Sequence, residues 1–223
     1  MIANLLKTIF SYLFPPSCII CLEQTKHINI CDTCIKKLPL TREFRKPWLF
    51  SLYRYRDEPV SHSIHHIKTF PDKSFTYRII AEHSKIFTDW VRGMLRTHSC
   101  NAITFVPTPI HRNRFLERGY NQAEIIAESC QKILEQTLPN IPISIEKSYV
   151  IKKQATEKQA LITNKKDRLK NVVNAFTTTG REASLPAQTL IIIIDDVTTT
   201  GGTIQEVHNQ FPNHPVVAFT LAH

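Results

Sequence analysis

The chain has 223 residues, of which 42% are hydrophobic and 21% are charged, and its formal net charge is +9. This is ordinary globular composition, which argues against long disordered segments, and no stretch approaches the ~18 apolar residues of a transmembrane helix. The basic surplus favours polyanionic partners such as nucleic acid, phosphorylated metabolites or anionic lipid.

Residues 1–14 are predicted to form an amphipathic helix, because their apolar side chains recur at steps of three and four. The segment lacks the basic start and the small-residue cleavage site of a signal peptide, and Pro15 and Pro16 follow at once. We expect this helix to pack on its own protein; the alternative is a helix lying on a membrane surface. The expected location is the cytoplasm, with the inner face of the cytoplasmic membrane as the alternative.

Four cysteines follow in the pattern C-x2-C-x9-C-x2-C: Cys18, Cys21, Cys31 and Cys34. Two residues between cysteines let both sulfurs of a pair reach one metal from a tight turn, and two pairs complete the four-thiolate shell that zinc prefers. A closed shell predicts a structural zinc. Two disulfides are the alternative, which a cytoplasmic location disfavours, and a redox C-x-x-C pair is weaker still. The first helix and this zinc module are expected to span residues 1–45.

From residue 46 to residue 223, strands alternate with helices, which predicts one α/β domain with a largely parallel sheet. The predicted strands are 48–55, 103–106, 190–194 and 216–221, and the predicted helices are 74–95, 122–134 and 203–209. The run from Leu190 to Ile194 is continuously apolar, as expected of a central parallel strand covered on both faces. A polar, basic segment from Lys152 to Lys170 shows no strong period.

The most specific motif is IIIIDDVTTTGGT, residues 191–203. The predicted strand ends on Asp195 and Asp196, at the edge where ligands bind in open α/β sheets. The two carboxylates suit a ribose diol or its magnesium ion, and without a ligand or cation they would repel each other. The residues that can direct backbone N–H groups and hydroxyls at a phosphate are Thr199, Thr200, Gly201, Gly202 and Thr203.

This motif resembles the signature of the type I phosphoribosyltransferases. The resemblance implies their fold, a parallel sheet flanked by helices with a small hood. It also implies that Asp195 and Asp196 face the ribose hydroxyls of phosphoribosyl pyrophosphate, bound with magnesium, and that Thr199 to Thr203 wrap its 5′-phosphate. Many members that use nucleobases have an acidic residue where this chain has Thr199. Because threonine cannot act as a base near neutral pH, conventional base salvage is not expected.

Two further segments resemble the ComF family of competence proteins. They are FVPTPIHRNRFLERGYNQ, residues 105–122, and QATEKQ, residues 154–159, the latter followed by Arg168, Asn171 and Phe176. With the four cysteines in front, the resemblance covers nearly the whole chain. It implies a cytoplasmic protein needed for DNA uptake in natural transformation. Such a protein handles incoming single-stranded DNA behind the uptake channel, with a helicase-like partner.

Basic residues are the candidates for contact with pyrophosphate or nucleic acid: Arg112, Arg114, Arg118, Lys158 and Arg168. The first three follow Val106–Pro109, which by resemblance is the pyrophosphate loop. Cations there would stabilise a leaving pyrophosphate. They could also follow a nucleic-acid backbone, with Phe115, Tyr120 or Phe176 as stacking platforms.

Three hypotheses follow from these observations. The first is a competence factor that binds both phosphoribosyl pyrophosphate and single-stranded DNA. The second is an active phosphoribosyltransferase, a glycosyltransferase that moves a pentosyl group to an unidentified nucleophile and releases pyrophosphate. The third is a regulator that senses the metabolite and alters a protein contact.

Overall fold

The structure is a computed structural model that describes residues 17–25, 29–41, 46–152, 176–180 and 184–223. The helix predicted over residues 1–14 lies outside these ranges. So do the segment 154–159 and the predicted site residues Lys158 and Arg168. The predicted domain boundary near residue 45 also falls in a stretch, 42–45, that the described ranges omit.

The centre of the fold is a five-stranded sheet in the order β1-β7-β6-β2-β3, with every neighbouring pair parallel. Its strands are β1 Leu49–Tyr53, β2 Ala102–Pro107, β3 Ile143–Ile145, β6 Thr189–Val197 and β7 Val216–Ala222. A separate antiparallel pair is formed by β4 Val150–Lys152 and β5 Phe176–Thr178. Strand β6 is central, and its side chains from Leu190 to Ile194 are fully buried.

Helices cover both faces of this sheet. The helices of the described residues are α1 Asp32–Lys36, α2 Glu58–Thr69, α3 Lys73–Ala81, α4 Ser84–Thr97, α5 Arg112–Arg118, α6 Gln122–Thr137 and α7 Gly202–His208, and all but α5 bury side chains in the core. Because side chains alternate along a strand, Ile192 and Ile194 enter the core beneath α2, α3, α4 and α6, whereas Ile191 and Ile193 pack with α7 and the β4–β5 pair. The predicted α/β class, a parallel sheet flanked by helices behind a four-cysteine segment, is confirmed.

Two predicted boundaries differ from the observed ones. The helical pattern of residues 74–95 forms two helices, because α3 ends at Ala81 and α4 begins at Ser84. The apolar period continues across this break since both helices bury their apolar residues in the same core. The strand predicted over residues 190–194 continues to Val197, so both aspartates of the motif are strand residues.

The four-cysteine segment, residues 17–25 and 29–41, packs directly on the α/β domain that follows it in the chain. Cys18, Ile30 and Ile35 belong to the same buried core as the helices that cover the sheet. The backbone N–H of Thr41 donates to the carbonyl of Leu52 at 2.8 Å, which ties the end of this segment to β1. The segment therefore shares its core with the α/β domain.

Candidate functional site

The Sγ atoms of Cys18, Cys21, Cys31 and Cys34 all lie within 4.8 Å of one another. Sulfurs around a tetrahedral zinc with bonds of about 2.3 Å are about 3.8 Å apart, and the Cys21 and Cys31 sulfurs are separated by 3.7 Å. Cys31 is the residue before α1, and its Sγ accepts from the backbone N–H of Cys34 at 3.4 Å. The first turn of α1 thus places the second pair of thiols, and the cluster fits a structural metal such as zinc.

The thiols of this cluster differ in acidity. Burial opposes ionisation of Cys18, but hydrogen bonds from the backbone N–H groups of Cys21, Cys31 and Ile20 outweigh it and lower the pKa of that thiol to about 6. Burial and the neighbouring thiols raise the pKa of Cys34. Without a metal the cluster therefore cannot hold four negative charges, whereas a divalent cation would compensate them and release protons on binding.

Asp72, the residue before α3, connects the cysteine segment to α2 and α3. Its carboxylate accepts from Asn29 Nδ2 at 2.8 Å and from the backbone N–H of Phe75 at 3.0 Å, and it lies 3.3 Å from Nε2 of His66. The hydrogen bond with His66 is the main reason that the pKa of Asp72 is lowered. One carboxylate therefore links three elements of the fold.

Asp195 and Asp196 are consecutive residues of β6, so their side chains leave opposite faces of the strand. The carboxyl of Asp195 accepts from the hydroxyl of Thr108 and, at 2.9 Å, from the backbone N–H of Asp196. The carboxyl of Asp196 is buried, accepts from Gln122 Nε2 at 3.2 Å and lies 3.4 Å from Lys68 Nζ. Each acid therefore has its own set of partners.

The electrostatic environment of Asp195 also affects its charge. Burial, followed by the negative charge of Asp196, raises the pKa of Asp195 to about 7. A carboxyl beside another carboxyl in a buried place gains a proton unless a cation compensates it. The pair therefore carries less than two full charges near neutral pH, and a divalent cation would favour the fully ionised form.

Residues 199–203, which we call the threonine–glycine turn, follow β6 at the same edge of the sheet. The backbone N–H of Thr198 donates to the carbonyl of Ala222 at 3.0 Å, which ends the pairing of β6 with β7. Gly201 precedes α7 with φ of 78°, a left-handed conformation that side chains disfavour. Thr199, Thr200 and Thr203 are exposed. These exposed residues directly follow the strand that carries Asp195 and Asp196.

A cavity of about 400 Å³ opens beside the carboxyl end of β2, and its lining includes Arg112, Phe115, Lys147 and Lys152. Thr108 lies in sequence between the lining residues Pro107 and Pro109 and connects them to β6: its backbone N–H donates to the carbonyl of Ile194 at 2.8 Å, and its hydroxyl donates to Asp195. The cavity therefore adjoins the acid pair and presents mostly positive charge.

Known proteins provide an independent comparison. No model of a known protein family matches the chain. Over 186 residues it is 28% identical to competence protein F of Haemophilus influenzae, an alignment that covers 83% of this chain and 73% of that protein. The chain is a homologue of this competence protein. The resemblance to the ComF competence proteins is thereby confirmed.

In this homologue of competence protein F, the three predicted arginines of α5 occupy different places. Arg112 lines the cavity and is exposed, and Arg114 is exposed. Arg118 is half-buried and donates to Gln122 Oε1 at 3.1 Å, so it supports the amide that holds Asp196. Two of the arginines are thus open to a ligand, while the third braces the acid pair.

The proposed stacking platforms also differ from one another. Phe115 is 46% exposed and available, whereas Phe176 is 3% exposed. The prediction for Phe176 is wrong, because β5 turns this ring into the core with Val150 and Ile204. The hydroxyl of Tyr120 donates to the carbonyl of Ile67 at 2.8 Å, which fixes that ring against α2.

Sequence reasoning missed Lys68, Thr108 and Gln122 as partners of the two acids. Thr108 and Gln122 lie within the segment 105–122 that carries the family resemblance, so their position was available as a clue. Lys68 had no such clue, because helix α2 was not predicted. Among the described helices, none combines the length and apolarity needed to cross a bilayer.

Proposed function

We propose that this chain acts in DNA uptake during natural transformation, as a competence protein that binds phosphoribosyl pyrophosphate and single-stranded DNA. The similarity to competence protein F supports the competence role. One geometric observation supports the binding roles. Two partnered acids, an exposed threonine–glycine turn and a cationic cavity meet at the carboxyl edge of one parallel sheet, where α/β proteins bind ligands.

The acid pair and the turn suit a sugar phosphate. Asp195 and Asp196 offer acceptors to the ribose hydroxyls, and Thr199 to Thr203 offer hydroxyls and backbone N–H groups to the 5′-phosphate. Magnesium, when bound with the ligand, would neutralise pyrophosphate oxygens and the two carboxylates. Thr108 would keep Asp195 oriented beside the pyrophosphate loop.

The cavity next to this edge suits a nucleic-acid strand. Arg112 and Arg114 can pair with phosphates, and the exposed ring of Phe115 can receive a base. Because a single strand exposes its base faces, this combination favours single-stranded over duplex DNA. The proposed sugar-phosphate site consists of acids, hydroxyls and backbone N–H groups, whereas the proposed strand site consists of cations and an aromatic ring. The two sites are therefore chemically distinct.

Calorimetric titration with the magnesium complex of phosphoribosyl pyrophosphate tests the first binding role. We expect binding by the wild type and a loss of about tenfold or more for Asp195→Asn and for Asp196→Asn, since each removes a charged acceptor. Both variants should bind a labelled single strand as the wild type does. Absence of heat with folded wild-type protein would refute the sugar-phosphate site.

Fluorescence anisotropy with labelled single strands tests the second role. The double variant Arg112→Glu/Arg114→Glu should bind more weakly, with a reduced dependence on salt. The matched control is Lys85→Glu/Arg96→Glu, because both residues are exposed cations of α4 and the change in net charge is the same. Equal affinity of the double variant, the control and the wild type would exclude a strand site at α5.

Turnover separates the transferase alternative from simple binding. Nucleobases, ammonia and amines are offered with the magnesium complex while pyrophosphate release is followed. Release above background, abolished by Asp195→Asn, would establish an enzyme. Binding without pyrophosphate release would mean that the ligand has a structural or regulatory role.

A further inference from the structure

A second cavity, of about 480 Å³, lies between α3 and α6. We call it the α3–α6 groove. Its lining includes Lys73, Tyr77 and Arg78 of α3, and Glu128 and Lys132 of α6. The groove thus offers three cations and a tyrosine ring against one carboxylate, and these residues are separate from those proposed for the sugar-phosphate site.

Lys147 joins this groove to the first cavity. It lines the first cavity, and its Nζ lies 2.7 Å from Glu124 Oε2 and 3.4 Å from Glu128 Oε1. Glu128 lines the groove and also holds Lys73 at 2.6 Å. A chain of ion pairs, Lys147–Glu124, Lys147–Glu128 and Lys73–Glu128, therefore connects one cavity to the other along α6. We call this chain the path.

The far end of the path reaches the cysteine segment. Arg78 lines the groove and forms an ion pair with Asp32, the first residue of α1. The cations thus extend from Arg112 in the first cavity to Arg78, whose partner Asp32 is the residue after the predicted zinc ligand Cys31.

The groove also offers an aromatic platform. Lys132 is exposed, and its Nζ lies 4.6 Å from the centroid of the half-buried Tyr77 ring. A lysine in this place can turn from the ring to a phosphate, which leaves the ring face to a base. With Phe115 at the first cavity, both ends of the path combine an aromatic ring with cations.

We propose that the α3–α6 groove is a second contact site for single-stranded DNA, and that one strand runs from the first cavity across Lys147 into this groove. The proposal rests on the proposed function, because it extends the strand site at α5. Phosphates replace Glu128 as the partners of Lys73 and Lys147, and a base stacks on Tyr77. A duplex does not fit this description, since its base faces are covered.

Strand length tests the second contact. A labelled oligothymidine of about 5 nucleotides fills one cavity, whereas one of about 20 nucleotides has the length to reach both. The double variant Lys73→Gln/Lys132→Gln removes two groove cations. The matched control, Lys85→Gln/Arg96→Gln, removes two exposed cations of α4. Thermal unfolding of each variant checks that the fold is kept.

We expect the groove variant to bind the longer strand about tenfold more weakly than the control does at low salt, and to lower the salt slope by about 1.4, the value for two phosphate contacts on a single strand. The shorter strand should bind all three proteins alike. Photocrosslinking of a longer strand that carries 5-iododeoxyuridine should place an adduct on Tyr77.

Each outcome decides a different claim. If the wild type binds the longer strand but the groove variant matches the control, and no adduct forms on Tyr77, the second contact is absent while the strand site at α5 stands. If the wild type binds neither strand, the proposed DNA role and the groove fall together. Equal weakening of both strands by the groove variant would also overturn the proposal, because the loss would not depend on length.

Discussion

The ammonium group of Lys68 lies 3.4 Å from Oδ2 of Asp196, which joins the last turn of α2 to the end of β6. The Lys68 side chain is 31% exposed and that of Asp196 is 7% exposed. Because Asp195 is the neighbouring residue, this ion pair compensates one of two adjacent carboxylates in the ligand-free protein. A magnesium ion that used Asp196 would have to displace the lysine.

Replacing Lys68 by methionine should therefore have opposite effects on stability and on metal binding. The Lys68→Met variant should lose about 1–3 kcal/mol of unfolding free energy, because a buried carboxylate loses one of its partners. Its affinity for manganese alone should rise, since no ammonium competes for Asp196. Urea unfolding and electron paramagnetic resonance measure the two effects.

Lys85→Met is the control for Lys68→Met, because Lys85 pairs with Asp89 at 2.7 Å on the exposed side of α4. That variant should change neither quantity much, as exposed pairs contribute little. Unchanged manganese affinity in Lys68→Met would show that the lysine does not compete at this site.

Asp195 should make the ligand-free protein less stable as pH rises. Its pKa is raised from 3.8 to about 7, first by burial and then by Asp196, so between these values the folded protein binds a proton that the unfolded chain lacks. Stability from this group is therefore present at low pH and is lost as pH rises through about 7. Asp195→Asn cannot ionise, so its melting temperature should exceed that of the wild type by more at about pH 8 than at about pH 5.

Thermal unfolding in magnesium-free buffer checks this pH dependence, with Asp57→Asn as a control, because Asp57 is half-buried before α2 and pairs with the cation of Arg54 rather than with a second acid. A difference between Asp195→Asn and the wild type that does not change with pH would mean that Asp195 is ionised throughout this range.

Asp72 should stabilise the cysteine segment together with α3. Asp72→Ala removes the cap of α3, which costs about 0.5–2 kcal/mol, and it also removes the hydrogen bonds to Asn29 and His66. The pKa of Asp72 is lowered, chiefly by His66, so its contribution is present above the ordinary value of 3.8 and is lost as pH falls through the lower, folded value. The variant should also release zinc faster to a chromogenic chelator.

Asp57→Ala provides the comparison for Asp72→Ala, because Asp57 precedes α2 without a side-chain capping bond. If both variants released zinc at the wild-type rate, the link through Asp72 would have no influence on the metal.

The sheet could be predicted from sequence because burial on both faces leaves a continuous apolar run, as in β6 from Leu190 to Ile194. Helix α5 could not be predicted in the same way. None of its residues is buried, so it has no apolar period to detect. Helix α2 buries Val60, Ile64 and Ile67, but a proline and three histidines obscure that pattern.

Part of the candidate site could likewise be predicted from sequence, and part could not. The acids and the turn lie in one contiguous motif, and local chemistry was sufficient to propose them. Their partners Lys68, Thr108 and Gln122 come from α2, the loop after β2 and the start of α6. Only the parallel order of the strands brings these distant residues together, and that order cannot be read from local patterns.

Gly201 should matter for ligand binding more than for stability. Its φ is 78°, and an added Cβ would meet only the Thr198 hydroxyl oxygen, 4.0 Å away, so strain rather than crowding opposes a side chain. Gly201→Ala should cost about 1–2 kcal/mol of unfolding free energy. Because relief of that strain would turn the backbone of the threonine–glycine turn, binding of ribose 5-phosphate should weaken as well.

The matched control is Gly180→Ala, since Gly180 has φ of 81° and no atom within 4 Å of an added Cβ. Both variants should lose similar stability in urea unfolding, but only Gly201→Ala should lose affinity in calorimetry. Equal affinity of the two variants for ribose 5-phosphate would remove the turn from the binding site, whatever their stabilities.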